Sequence, residues 1–114
     1  MSRDWRLRWL DILEACGRVR RYTAGMSFED FQDNDLVYDA VTRNLEIIGE
    51  AVTAMPADVL ATEPDIDWAK VKGFRVMAAH SSHRLDPAIV WNVVEEHIPK
   101  LLACKIGDLP ASET

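Results

Sequence analysis

Apolar residues recur along most of this chain at the spacing of an α-helix. In the first segment they lie 4, 7, 8, 11 and 14 positions after the first of them, which places them on one face of a helix. The pattern predicts a helix that ends near Tyr22, and Gly25 then interrupts it. The apolar face consists of Trp5, Trp9, Ile12, Leu13, Cys16 and Val19.

The next segment predicts a short helical turn followed by a long helix. Ser27 and Asp30 have the spacing of a capping box, so a turn should start there. Asp33 or Asn34 can cap a longer helix that continues to about Ala54, because Pro56 disfavours helical geometry at the residue before it. One apolar face of this helix is formed by Val37, Val41, Leu45, Ile48, Val52 and Met55.

The long helix also carries a second apolar row, offset from the first. A small monomer rarely needs to bury two faces of one helix, so the row is consistent with the seam of a homodimer. A central helix buried on several sides would explain it equally well. The row consists of Leu36, Ala40, Ile47, Ala51 and Ala54.

Two further helices complete an all-α pattern. Asp65 or Asp67 should cap a third main helix over residues 68–81, and Asp86 with Pro87 predicts the start of a fourth. Pro99 should kink or loosen the end of that helix. No segment alternates at the spacing of a strand, so we expect a bundle of four main helices plus the short turn. The apolar face of the fourth helix is formed by Val90, Val94, Ile98, Leu101 and Leu102.

Composition fits one domain without a membrane span. The chain has 114 residues, of which 48% are hydrophobic, and this suffices for a single modest core. We expect the domain to cover residues 1–104, with a frayed tail over residues 105–114. No apolar run reaches the ~20 residues that a spanning helix needs. Cys16 and Cys104 form no metal or disulfide motif, which favours a buried Cys16 and a cytoplasmic protein.

Charge is distributed unevenly along the chain. The net charge of −6 argues against indiscriminate binding of nucleic acid, and residues 23–67 hold eleven acids against one basic residue, Arg43. Residues 68–85 contain no acid at all. Lys70, Lys72, Arg75 and Arg84 therefore form a locally positive segment, although a solvated helix face would have the same composition.

Arg75 and His80 within this segment have the chemistry for cutting RNA. An arginine binds phosphate through a planar set of donors, and a histidine transfers a proton near neutral pH. By themselves the two residues could equally well have a structural role. His80 and His83 could also bind a metal, but a site needs three or four ligands and the sequence supplies no third one. We therefore expect no metal and no cofactor.

Other residues that could carry chemistry have structural interpretations. Glu46 and Glu50 share a helix face, as paired carboxylates would, but Arg43 lies one turn away and favours a salt bridge. His97 falls on the apolar side of the last helix and is expected in the core or an interface. The four tryptophans, Trp5, Trp9, Trp68 and Trp91, are expected to be packing anchors.

Several segments resemble the HepT-like toxins of the HEPN group (higher eukaryotes and prokaryotes nucleotide-binding). Residues 43–51, with the sequence RNLEIIGEA, are similar to the signature of that family, and residues 22–28 are similar to another of its segments. Residues 68–80 resemble a block that ends in Arg-x4-His. Val90-Trp91 and Ile98-Pro99 resemble the last helix, so the similarity covers nearly all of residues 3–102 in order.

The resemblance implies a dimeric all-α endoribonuclease that works without a metal. Arg75 and His80 would be catalytic, and Lys72, His83 and Arg84 would contact RNA. Such toxins are usually encoded beside a nucleotidyltransferase antitoxin of the MntA type. One histidine would act as base on the RNA 2′-hydroxyl and its symmetry mate as acid at the leaving oxygen, which yields a 2′,3′-cyclic phosphate.

Helix geometry adds a constraint on this pair. Five residues of a regular helix correspond to about 140° of rotation and ~7.5 Å of rise, so the two side chains would not share a face. His80 could lie where the helix frays, Arg75 could bend round, or two protomers could combine their pairs across a two-fold axis. The resemblance implies the last arrangement.

Two positions depart from the family pattern. Val76 follows the arginine where the family commonly has Asn or another polar residue. Ser82 stands where the family often has a tyrosine that its antitoxin modifies with AMP, which makes Ser82 a candidate site of modification. The alternative function is therefore a catalytically weak binding module of the same fold, which acts by forming a complex with a nucleotidyltransferase or with nucleotides.

Overall fold

The computed structural model of this chain describes residues 4–77 and 85–109, and every regular element in that part is helical. Helix α1 spans Trp5–Thr23 and starts at Asp4, whose carboxylate accepts a hydrogen bond from the backbone N–H of Arg6. Gly25 lies in the connection that follows, with φ at +76°, a conformation that favours glycine. The predicted first helix and its interruption are confirmed.

The predicted capping signals open the next two helices. Helix α2 spans Phe28–Gln32, and Ser27 and Asp30 form both hydrogen bonds of a capping box, each at 3.1 Å. Helix α3 spans Asp35–Thr53 and is capped by Asn34, which accepts a hydrogen bond from the backbone N–H of Val37 at 3.0 Å. Of the two caps proposed from sequence for this helix, the structure selects Asn34.

A short helix not predicted from sequence lies between α3 and the candidate site. Helix α4 spans Ala57–Leu60 and begins after Pro56. The indole N–H of Trp68 donates to the carbonyl oxygens of Leu60 and Glu63, at 2.8 and 3.2 Å. These bonds fasten the loop after α4 to the start of the next helix, so Trp68 is the packing anchor expected for it.

The third predicted helix is shorter than its pattern indicated. Helix α5 spans Trp68–Gly73 and is capped by Asp67, and a 3-10 turn at Phe74–Val76 follows it. The prediction of a regular helix through Arg75 is therefore wrong for residues 74–76. Residues 78–84, which include the predicted end at Ser81, lie outside the described residues.

The fourth predicted helix is divided in two. Helix α6 spans Pro87–Asn92, with Asp86 as its cap, and helix α7 spans Ile98–Ala103. A π-helical turn at Val93–His97 joins them, in which the N–H of Ile98 donates to the carbonyl of Val93. Pro99 has no N–H for the carbonyl four residues earlier, and its ring would collide with that carbonyl. The wider π-helical turn relieves this conflict. The loosening of the helix that was predicted near Pro99 is therefore found, one turn before the proline.

The core is formed largely by the predicted apolar faces of α1, α3, α6 and α7, and the shorter elements add Phe31, Val59, Leu60, Val71 and Phe74. Cys16 is fully buried in it, as expected. The chain beyond α7 also packs: Ile106 is buried within a 3-10 turn at Ile106–Asp108, and Arg6 donates to the carbonyl of Leu109. The expected fraying from Lys105 is therefore not found as far as Leu109, because Ile106 fills a core position.

The second apolar row of α3 is not interior. Leu36 is 80% exposed, Ala54 is exposed, and the other three members are partly covered. A fully buried central helix is therefore the wrong explanation for this row. No helix in the described part of the chain is long and apolar enough to cross a membrane.

Candidate active site

Arg75 is held at the surface by a short, well-anchored element. Val71 and Phe74 are fully buried below it, and the 3-10 turn that follows α5 directs the next side chains outward. Arg75 is exposed, and Val76 beside it is 49% exposed. The local fold therefore exposes the side chains of Arg75 and Val76 to solvent next to the buried ring of Phe74.

The backbone of Arg75 rests directly on helix α3. A Cβ atom added to Gly49 would lie 2.3 Å from the backbone nitrogen of Arg75 and 2.9 Å from the carbonyl carbon of Phe74. Glycine in a helix interior is unfavourable by about 1 kcal/mol relative to alanine, so a packing reason is expected for it. Only glycine lets the two backbones approach this closely. Sequence reasoning missed this residue, although an isolated glycine within a long helical pattern was the available signal.

The side chain of Arg75 is available for a ligand within the described structure. Across residues 4–77 and 85–109, no hydrogen bond or ion pair holds its guanidinium group. Lys72 lies one turn earlier on α5 and is half-buried, and Lys70 is exposed. The structure thus places two predicted site residues close together in the chain, Lys72 on α5 and Arg75 on the 3-10 turn that follows it. Their excess of positive charge suits an anionic ligand.

The remaining predicted site residues cannot be placed relative to Arg75. His80, Ser82, His83 and Arg84 all lie outside the described residues. The helical rotation expected between Arg75 and His80 does not apply as derived. Residues 74–76 form a 3-10 turn, which has three residues per turn rather than 3.6, so the assumption of a regular α-helix does not hold for them.

His97 packs beneath the site rather than within it. Its ring meets the edge of the Phe74 ring, with the ring centroids 5.9 Å apart and an interplanar angle of 76°. Burial lowers the pKa of His97 below its ordinary value of 6.5, and the nearby charges of Lys70 and Lys100 lower it further. A half-buried packing role against Phe74 agrees with the expectation for this histidine.

The other candidate carboxylates are engaged elsewhere. Arg43 donates to Glu46, which confirms the predicted salt bridge. Glu50 lines a groove of about 320 Å³ between α1 and α3 together with Arg8, Asp11, Glu14 and Arg18. Among the described residues, no three His, Cys, Asp or Glu side chains have the geometry to hold a metal ion.

A hydrogen bond anchors the chain where the described structure resumes. The hydroxyl of Tyr38, a buried residue of α3, donates to the carbonyl oxygen of Leu85 at 3.0 Å. Leu85 is the first described residue after the segment that contains His80. This contact also escaped sequence reasoning, since a tyrosine within a predicted helix does not disclose a partner 47 positions away.

The fold and the site together define an all-α domain whose candidate site is a short basic element with an exposed arginine. Residues 12–105 match the family described as "Ribonuclease HepT-like". The chain belongs to that family. No solved structure shows significant similarity to it.

Individual relatives extend over most of the chain. A protein of Thermococcus cleftensis named "Probable ribonuclease HepT" is 36% identical over 91 residues, which cover 80% of this chain and 83% of that protein. "Putative RNase MJ1380" of Methanocaldococcus jannaschii is 32% identical over 100 residues, which cover 88% of this chain and 92% of the relative. "Putative RNase TTE0752" of Caldanaerobacter subterraneus subsp. tengcongensis is 32% identical over 90 residues, which cover 79% of this chain and 80% of the relative.

Proposed function

We propose that this protein is a metal-independent endoribonuclease and the toxin of a toxin–antitoxin system. The observation that carries the proposal is the exposed Arg75, seated on α3 with no described partner, in a chain of the HepT-like family. Arg75 would bind the scissile phosphate and stabilise the charge that develops on it. Lys72, His83 and Arg84 would add contacts to the RNA backbone.

His80 supplies the proton transfer in this mechanism. As a base it would take the proton of the RNA 2′-hydroxyl, whose oxygen attacks the adjacent phosphorus while the 5′ oxygen of the next nucleotide leaves. A second histidine would protonate that leaving oxygen. The products are a 2′,3′-cyclic phosphate and a free 5′-hydroxyl, and no step requires a metal.

Cleavage of a labelled RNA in the presence of EDTA tests this mechanism. We expect fragments with 2′,3′-cyclic phosphate ends, and His80→Ala should reduce the rate by a factor of ~10²–10⁴, as loss of one proton-transfer group usually does. Cleavage that persists in His80→Ala, or that stops when EDTA is added, would overturn the mechanism. Binding of RNA with no cleavage at all would favour the alternative function of a catalytically weak binding module, for which the exposed, apolar Val76 beside Arg75 is the supporting observation.

The active form would be a homodimer in which two protomers bring their Arg75 and His80 residues into one cleft. The second apolar row of α3 does not suit this purpose. Ile47 and Ala51 lie two residues on either side of Gly49, and two residues correspond to about 200° on a helix, so the row points away from Arg75. We therefore place the dimer contact beside Arg75, where Val76 is exposed.

Light scattering of two charge variants tests this placement. Val76→Asp should convert the dimer to a monomer, because it adds a charge inside the proposed contact, whereas Ile47→Asp should leave it dimeric. The opposite result would assign the contact to the α3 row. A wild-type protein that is monomeric at micromolar concentration would remove the composite site altogether.

The proposed partner is a nucleotidyltransferase antitoxin of the MntA type. The acidic surface of residues 23–67 cannot favour RNA, and it would suit a basic protein surface. Ser82 would be the acceptor of a nucleotidyl group, and an anionic adduct there would repel an incoming RNA phosphate. Co-expression with the neighbouring gene product should give a stable complex, with a nucleotide mass on the peptide that contains Ser82. If no complex forms, the two-component proposal fails, whereas a complex with unmodified peptide would indicate inhibition by binding alone.

A further inference from the structure

Helix α3 contacts the chain on both sides of the segment that separates Arg75 from Leu85. Gly49 receives the backbone of Arg75 before the segment, and the Tyr38 hydroxyl holds the carbonyl of Leu85 after it, at 3.0 Å. Tyr38 and Gly49 are eleven residues apart, which on an α-helix corresponds to about 16 Å of rise and to three turns plus only ~20°. Both contacts therefore lie on the same side of one straight element.

The two contacts differ in how they resist displacement. At Gly49 the limit is steric, because the atoms that a Cβ would meet belong to the backbone and cannot rotate away. At Tyr38 the contact is a directional hydrogen bond from a residue that is 5% exposed and whose ring packs against Phe31 at a centroid distance of 5.9 Å. A side chain that is fixed in this way holds its hydroxyl in place and thereby fixes the position of Leu85.

We propose that α3 is the positioning element of the active site, with Gly49 and Tyr38 as positioning residues for the ribonuclease reaction. Gly49 sets the position of Arg75, and Tyr38 fixes the chain on the far side of the segment that carries His80. This inference rests on the proposed function, in which Arg75 binds the scissile phosphate. Neither residue touches the RNA, and each acts through the residue that it contacts.

The proposal predicts a selective effect of adding one methyl group. In Gly49→Ala the Cβ must move from 2.3 Å to an ordinary contact distance from the Arg75 nitrogen, so Arg75 shifts by about 1 Å, a misplacement that can reduce rates by ~10²-fold. Gly17→Ala is the matched control, since it also replaces a helical glycine but meets only the flexible Arg21 side chain, at 3.6 Å. We expect kcat to fall by ~10–100-fold in Gly49→Ala and to stay within about twofold of wild type in Gly17→Ala.

Binding of an RNA that cannot be cleaved separates positioning from general damage to the fold. An oligonucleotide with 2′-O-methyl groups lacks the attacking hydroxyl, so its affinity can be measured for wild type, Gly49→Ala, Arg75→Ala and the double variant. If Gly49 acts through Arg75, Gly49→Ala should weaken binding only when Arg75 is present. Equal losses in both backgrounds would overturn the proposal. If wild type cleaves no RNA but this coupling is found, the proposed ribonuclease activity fails, while the role of Gly49 in positioning Arg75 for binding RNA stands.

Tyr38→Phe provides a second test in a protein that keeps its core shape. The variant removes the hydroxyl but retains the ring, and Tyr22→Phe, at a residue that is 38% exposed, is its control. We expect kcat to fall about tenfold in Tyr38→Phe with KM unchanged, in line with the loss of one positioning hydrogen bond. A lower melting temperature with unchanged kcat would show that the bond serves stability alone and would overturn the role of Tyr38.

Discussion

Trp68 should contribute to stability chiefly through its indole N–H. That group donates to the carbonyls of Leu60 and Glu63, and Leu60 is only 4% exposed, so water cannot readily replace the donor. Replacing Trp68 by phenylalanine should cost about 1–2 kcal/mol for the lost hydrogen bonds, in addition to the cost of the smaller ring. Trp91→Phe is the matched control, because Trp91 is also half-buried but its indole N–H donates to no group in the described part of the chain.

The difference between the two variants isolates the hydrogen bonds. With an unfolding entropy of about 2.1 cal/mol/K per residue, each kcal/mol corresponds to roughly 4 °C for a chain of 114 residues. Tm measured by far-UV circular dichroism should therefore be about 4–8 °C lower in Trp68→Phe than in Trp91→Phe. Equal melting temperatures would show that the ring, not the N–H, fastens the loop before α5, and would refute this reasoning.

Two further predictions concern titratable groups that are buried or half-buried. Burial raises the pKa of Cys16 to about 12 and that of Cys104 to about 11, so neither thiol should react rapidly with a thiol reagent in the native protein at about pH 8. Both should react after denaturation, and rapid native labelling of either would contradict the packing described. Burial and the charges of Lys70 and Lys100 lower the pKa of His97, so the folded state favours the neutral imidazole. The contribution of His97 to the stability of the folded state is therefore fully present above pH 6.5 and is lost as the pH falls below that value. Urea unfolding should show that wild type loses more stability than His97→Gln between about pH 7.5 and pH 5, and identical losses would refute the assignment.

The sequence predicted the helix starts well because a cap is a local feature. Ser27, Asn34, Asp67 and Asp86 each accept a backbone hydrogen bond from a residue two or three positions ahead, and that relation can be inferred from a few letters. The early end of α5 could not be inferred in this way. It coincides with the contact to Gly49, which lies 26 positions earlier in the chain and is created only by tertiary packing.

In the candidate site, too, the local features could be predicted from the sequence and the tertiary contacts could not. The charge pattern identified Arg75 and Lys72, since an absence of acids over residues 68–85 is visible in the sequence. The contacts that support Arg75 were not identifiable, because neither the isolated glycine at position 49 nor His97 on an apolar face discloses which residue it packs against. An exposed second row on α3 was predicted as an extra apolar face, but its direction, away from Arg75, follows only from the contact at Gly49.

Arg75 is the residue on which the proposed activity depends, and the rate of RNA cleavage by its alanine variant tests this most directly. Arg20, another exposed arginine, is the matched control on α1. With both variants shown to be folded by circular dichroism, we expect Arg75→Ala to lower kcat/KM by ~10²–10³-fold, as removal of one charge-stabilising donor does, and Arg20→Ala to stay within about twofold of wild type. A folded Arg75→Ala protein that cleaves RNA at the wild-type rate would contradict the assignment of this site.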